Sequence, residues 1–206
     1  MRPRYYVNAS TPSTTGTAAV ECRAPWRPGA GMLRWVMMVG DMAAYKYFYD
    51  CEFIEDGRTI DLVSIGVVDE HGREFYAIST EFDPAPAVAW VRRNVLDRLP
   101  SPGHPAWRSR ARIRDELYAF LVEPLGAQDE IELWAWYAAY DHVVLAQLWG
   151  RMPELPREIP RFTKDLRQLW DDRGRPPLPQ AEQQRHDALV DARHNLARWR
   201  AMTARK

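Results

Sequence analysis

Asp50 and Glu52 sit two residues apart inside the aromatic run YFYDCEF, residues 47–53. Four of its seven residues are Tyr or Phe, types that suit a pleated, half-buried surface, so the run predicts a β-strand. Alternation along a strand then points both acids to one face. Like charges held side by side near a core repel each other and resist desolvation. Hard divalent cations such as Mg²⁺ offset that cost, because they take carboxylate oxygens, keep waters and bind jointly with a substrate phosphate.

Two further places offer groups of the same kind. Asp141 lies in AAYDHVVL, where a strand hands over to a helix; alone, it reads equally well as a helix cap. HDALVDAR sets His186 and Asp191 around the first turns of the last helix. Asp187 is a cap candidate there and shares a helical face with Asp191. Cys51 points to the strand face opposite the acids, as a buried thiol would. His142 and His194 read as packed or exposed helix residues with no chemical role.

The elements that must position these groups follow from periodicity and turn residues. EDGR (55–58) and EHGR (70–73) are turns separating YFYDCEF, TIDLVSIGVVD and EFYAISTEF, which predicts a three-stranded antiparallel meander. PAPAVAWVRRNVLDRL predicts a helix through Val88, Val91, Val95 and Leu99, and PAWRSRARIRDELYAFLVE a second through Ile113, Leu117, Phe120 and Leu121. EIELWAWYA is a strand leading into YDHVVLAQLWG, a helix closed by Gly150. PRFTKDLRQLWDDRG gives a short strand or turn and a helix, RPPLPQAEQQ a loop, and HDALVDARHNLARWRAM the closing helix. An antiparallel meander followed by strand–helix alternation indicates an α/β domain with a mixed sheet flanked by helices.

The 206 residues, 46% of them hydrophobic, are enough for one domain with a proper core. Net charge is zero, with 28 basic and 28 acidic residues, so no global affinity for polyanions is expected. No apolar run reaches the eighteen or so residues of a membrane span. Two cysteines, Cys22 and Cys51, argue against a disulfide framework and for a reducing, cytoplasmic setting. Residues 1–41 are polar and small in composition and predict a disordered extension, with translation starting at one of Met32, Met37, Met38 or Met42. The charge divides at the same boundary, net +3 before residue 42 and net −3 from 42 to 206.

Asp-x-Glu on the first strand, an Asp at a strand-to-helix junction and His-x4-Asp on a late helix come in the order of one known plan. The chain resembles the DEDDh class of 3′-5′ exonucleases on the ribonuclease H-like fold, over residues 46–201. More narrowly, YFYDCEFIEDGRTIDLVSIGVV, ELWAWYAAYDHVVLAQLWG and HDALVDARHNL resemble the RNase AS family of actinobacterial polyadenylate-specific exoribonucleases.

The resemblance implies a five-stranded mixed sheet, three antiparallel strands then parallel ones, and a catalytic domain over 42–206. It also implies hydrolysis of single-stranded RNA, adenylate-rich at its 3′ end, to nucleoside 5′-monophosphates. Two Mg²⁺ ions about 4 Å apart, with Mn²⁺ as a substitute, would activate water and stabilise the leaving oxygen. By the family's pattern Asp50 bridges both ions, Glu52 and Asp191 complete the first, Asp141 serves the second, and His186 is the general base. An imidazole suits that role because it can take a proton near working pH. His186 and Asp191 are five positions apart, which is not one helical face, so the histidine belongs at the helix entrance.

The family's dimeric habit implies a homodimer. Phe53 is the candidate for stacking on RNA bases, and Arg108 and Arg110, with Arg112 and Arg114 in WRSRARIR, are candidates for guiding its backbone. DNA proofreading exonucleases and general oligoribonucleases share the same five residues. A catalytically inactive RNA- or protein-binding module would have no need of a base.

Overall fold

A computed structural model describes residues 44–181 and 186–204. The expectations for residues 1–41 and for the end of the proline-rich loop, 182–184, lie outside the described residues.

Strand β1 (Ala44–Glu55) is the centre of the sheet. It pairs antiparallel with β2 (Ile60–Asp69), which pairs antiparallel with β3 (Glu74–Ser79). On its other side β1 pairs parallel with β5 (Glu130–Ala135). This is the α/β mixed sheet expected, three antiparallel strands and then parallel ones, but with six strands rather than five. The order is β4-β3-β2-β1-β5-β6, and the added edges are two-residue strands, β4 (Trp107–Arg108) and β6 (Lys164–Asp165).

Alternation along β1 sorts its side chains as the pattern requires. Tyr47, Tyr49 and Cys51 enter one core with Ile65, Val67 and Leu133. Helices α2 (Arg110–Val122) and α3 (Ala139–Gln147) cover that face, through Ile113, Leu117, Leu121, Val144 and Leu145. Full burial of side chains of this size stabilises by roughly 1.5–3 kcal/mol each. The tyrosine hydroxyls are satisfied, Tyr47 donating to the Leu121 carbonyl at 2.7 Å and Tyr49 meeting Thr163 Oγ1 at 2.6 Å.

Phe48 enters a second core with Val68, Leu166, Ala192, Leu196 and Met202, formed with α4 (Leu166–Asp172) and α5 (Ala188–Thr203). Ile54 enters a third, smaller one with Val63, Ala87 and Val95. Asp50 and Glu52 therefore occupy the gap between two apolar clusters on one face. The register of β1 with β2 slips there, between Glu52–Ser64 and Phe53–Leu62. This bulge lets Leu62 and Ile65, three apart, face the same core.

Two helices differ from expectation. The first is only α1 (Ala89–Asn94) followed by a 3-10 turn, Leu96–Arg98; Pro84 and Pro86 keep the chain before it out of the helical region. The second starts at Arg110, because Ser109 caps it by accepting from the Arg112 N–H. That leaves Trp107 and Arg108 free to extend the sheet. Gly150 closes the segment after α3 at φ +94°, as expected.

Candidate active site

Pairing of β1 with β5 ends at Phe48–Trp134, so β1 runs on without that neighbour. The Cys51 N–H beyond this point is taken by Asp141 Oδ1 at 2.8 Å. Asp141 is thus not the helix cap; the N-cap of α3 is Ala138, which makes no side-chain cap bond. Asp141, only 6% exposed as a residue, instead docks the first turn of α3 onto the strand between Asp50 and Glu52. Asp165 secures the same junction, accepting from the N–H groups of Tyr137 and Ala138 at 3.3 and 3.2 Å while capping α4.

Helix α5 is brought in by a glycine. Gly66 lies opposite Asp50 on β2, and a Cβ there would stand 2.4 Å from backbone atoms of Ala188 and Leu189. Only glycine lets the first turn of α5 seat this close to the sheet. Asn195, fully buried, fixes the helix further along by donating to the Tyr49 carbonyl at 3.0 Å. Arg198 donates to Asn195 Oδ1 at 2.9 Å and lies 4.2 Å from the centre of the Trp136 ring. Asp187 is the N-cap, accepting from Leu189 and Val190.

His186 precedes that cap with φ +67°, a left-handed conformation that histidine adopts more readily than most residues. Its N–H donates to Asp191 Oδ2 at 2.8 Å. A ligand atom from each of Glu52, His186 and Asp191 falls within 4.8 Å of the others. The five-residue spacing is thus bridged at the helix entrance. Trp90 of α1 meets the His186 ring edge-on, at a centroid distance of 4.6 Å and an angle of 79°.

The electrostatics are those of crowded acids. Burial first, then the charges of Asp141, Glu52 and Asp191, hold the Asp50 carboxyl well above the usual range, with Arg198 opposing. Burial, together with Asp191, Asp141 and Asp187, pushes Glu52 up to about 8. Burial raises Asp141 to about 7 against the hydrogen bond from Cys51. A site that favours protons this strongly also suits another positive charge, and carboxylate oxygens gathered this closely form a donor set that fits a hard divalent cation.

The other candidates stand apart from this group. Phe53 turns its ring to the opposite face of the sheet, stacked on Tyr140 at 5.7 Å and 10°. Tyr140 itself is 57% exposed. Arg108 pairs with Glu116 at 3.1 Å and donates to the Tyr76 carbonyl, and Arg110 pairs with Asp61. Arg112 and Arg114 pair with Glu116 and Asp115. His194 is buried in α5, and His142 is half-buried against Thr163. Gly66, Asn195 and Arg198 had no sequence signal beyond their place in a strand and a helix.

Residues 45–203 match the family described as the 3′-5′ exoribonuclease Rv2179c-like domain. The chain is 59% identical over 159 residues to the 3′-5′ exoribonuclease Rv2179c of Mycobacterium tuberculosis strain H37Rv, covering 77% of this chain and 94% of that protein. The 3′-5′ exoribonuclease MT2234.1 of strain CDC 1551 matches to the same extent. Among solved structures, a 3′-exonuclease described for 3′-end specific recognition of a histone mRNA stem-loop aligns at TM-score 0.47 and 12% identity, over 84% of this chain and 69% of its own.

Proposed function

Because the chain belongs to the Rv2179c-like 3′-5′ exoribonuclease domain family, we propose that the acidic gap on β1 is its catalytic centre. There it removes nucleotides one at a time from the 3′ end of single-stranded RNA. The observation that carries this reading is the convergence, from β1, α3 and α5, of four carboxylates and an imidazole separated by up to 141 positions in sequence.

Asp50, Glu52, Asp141 and Asp191 would hold two Mg²⁺ ions, or Mn²⁺ in their place. The bound ions supply charge neutralisation for the scissile phosphate and for the oxygens that attack and leave it. His186 accepts the proton of the attacking water. The new bond joins that water's oxygen to phosphorus, and the bond from phosphorus to the 3′ oxygen of the penultimate nucleotide breaks. The terminal residue leaves as a nucleoside 5′-monophosphate. The strand and the two helix starts, each fixed by backbone contacts, give the rigid base that such chemistry needs.

By the resemblance to the RNase AS family, the substrate is RNA with adenylate-rich 3′ ends, such as poly(A) tails, and the working form is a cytoplasmic homodimer. Net negative charge over residues 42–206 is compatible with an RNA substrate, because cations in the acidic gap, not surface lysines, would meet the phosphate. Release of nucleotides from labelled RNA and DNA in Mg²⁺, with homopolymer RNAs as competitors, tests the reading. Adenylate monophosphates released from RNA, with DNA resistant, is the expected result. Equal cleavage of DNA would point to a proofreading-type enzyme, and no cleavage of either would leave a binding module.

A further inference from the structure

We propose that Trp90 is the positioning residue for the His186 imidazole, holding the ring over Glu52 and Asp191; the inference rests on the reading of His186 as general base. The backbone of His186 is fixed by its N–H bond to Asp191 and its left-handed conformation, but these leave the side-chain torsions free. Among the described residues, no hydrogen bond reaches either imidazole nitrogen, and the aromatic ring that meets the imidazole is Trp90. General bases are ordinarily oriented by a third group. Here an aromatic edge contact fills that place.

Trp90 is well mounted for the task. Helix α1 has only six residues, none of them fully buried, and half-buried Val91 packs it against the third core. Its flanks tie it further to the sheet. Arg92 donates to the carbonyls of Pro84, Ala85 and Ala87, knotting the approach loop to the helix. Ala87 and Val95, on either side, are buried against Ile54 and Val63.

Ile54 follows Glu52 by two residues, and Val63 is the extra residue of the β-bulge. Trp90 therefore projects from a mount built on the strand that carries the acids. It also lines a cleft of about 240 Å³ with Glu52, Phe53 and Val91. Trp90 is 49% exposed, so about half of the residue stays outside the core. An edge-on aromatic contact has the strength to bias a ring's orientation by about 3- to 10-fold.

The test is a double-mutant cycle in the full chain with a 5′-labelled oligoadenylate, joined to nuclear magnetic resonance of the metal-free protein. Trp90→Ala should lower kcat about 3- to 10-fold, leaving RNA affinity in Ca²⁺ and the melting temperature unchanged. Trp90→Phe should restore most of the rate. In the His186→Ala background, Trp90→Ala should have no further effect, because a residue acting through the imidazole has nothing left to act on.

The ring resonances of His186, assigned by their loss in His186→Ala, should move in Trp90→Ala. An equal loss in both backgrounds, or a loss carried by KM, would overturn the proposal and make Trp90 a base platform. Unmoved resonances, or a fall in melting temperature that accounts for the lost rate, would also overturn it. Normal turnover by His186→Ala would instead remove the general-base reading, and the resonance shift would still report whether the contact exists.

Discussion

At the hairpin end of β2, Asp69 is fully buried, while near the middle of β1 Asp50 and Glu52 are drawn into the sheet between two apolar clusters. Asp69 is met by donors on every side. The N–H groups of His71 and Arg73 reach one oxygen at 2.9 Å each, and Arg73 Nε and Tyr45 Oη reach the other at 2.8 and 3.1 Å. Burial pushes its carboxyl up, but the bonds from the Arg73 side chain and from the turn's backbone outweigh burial and hold it below the ordinary carboxylate range. Asp50 and Glu52 are met chiefly by other acids, and both are raised. A buried acid that holds a fold together comes with its donors; a buried acid without them is kept for a charge that arrives from outside.

Substitutions should separate the two regions. Asp50→Ala or Asp191→Ala should abolish nuclease activity at saturating Mg²⁺ while the metal-free melting temperature holds or rises slightly, because one like charge fewer is crowded there. Near wild-type turnover in either variant would break the comparison. His186→Ala should come next, slowing turnover by roughly 10²–10⁴-fold, with RNA affinity in Ca²⁺ unchanged; it is checked by single-turnover kinetics and binding.

Asp69→Ala should do the reverse. It leaves the Tyr45 hydroxyl, Arg73 and two backbone N–H groups without their acceptor, so chemical denaturation should register a loss of about 1–3 kcal/mol. Rate per folded molecule should stay the same. A variant of Asp69 that kept its stability would show that satisfied burial is not what distinguishes the hairpin.

The sequence carries this contrast only in part. Alternation in YFYDCEF was enough to put Asp50 and Glu52 on one face, and the strand-to-helix junction and HDALVDAR supplied Asp141, His186 and Asp191. Each signal is local, a matter of a few residues and one period. The parts that stayed hidden depend on which element lies across from which. Gly66 is one more small residue in TIDLVSIGVVD until the first turn of α5 is seen lying on it.

The roles of Asn195 and of the Cys51 N–H likewise appear only once α5 and α3 are docked. WRSRARIR reads as part of a helix because the apolar spacing of Ile113, Leu117, Phe120 and Leu121 runs on from it. Ser109, a residue that competes for a cap, moved the start and turned Trp107 and Arg108 into an edge strand. Trp90 lay inside a helical pattern that gave no hint of the histidine 96 residues on.

The central claim is that the acids of β1 await a divalent cation, and the melting temperature of the metal-free protein against pH tests it most directly. A carboxyl whose folded pKa is raised binds its proton more tightly folded than unfolded. Its contribution to stability is therefore complete below the unfolded pKa, near 4.5 for glutamate, and is lost as pH rises through the folded value. With Glu52 at about 8, Asp141 at about 7 and Asp50 also raised, the melting temperature should fall between pH 5 and 8. His142, held below the ordinary imidazole range by burial, opposes this as a single group. Added Mg²⁺ should restore the lost stability at pH 8, do little at pH 5, and fail to rescue Asp50→Ala at either. A melting temperature that climbs from pH 5 to 8 and ignores Mg²⁺ would contradict the account.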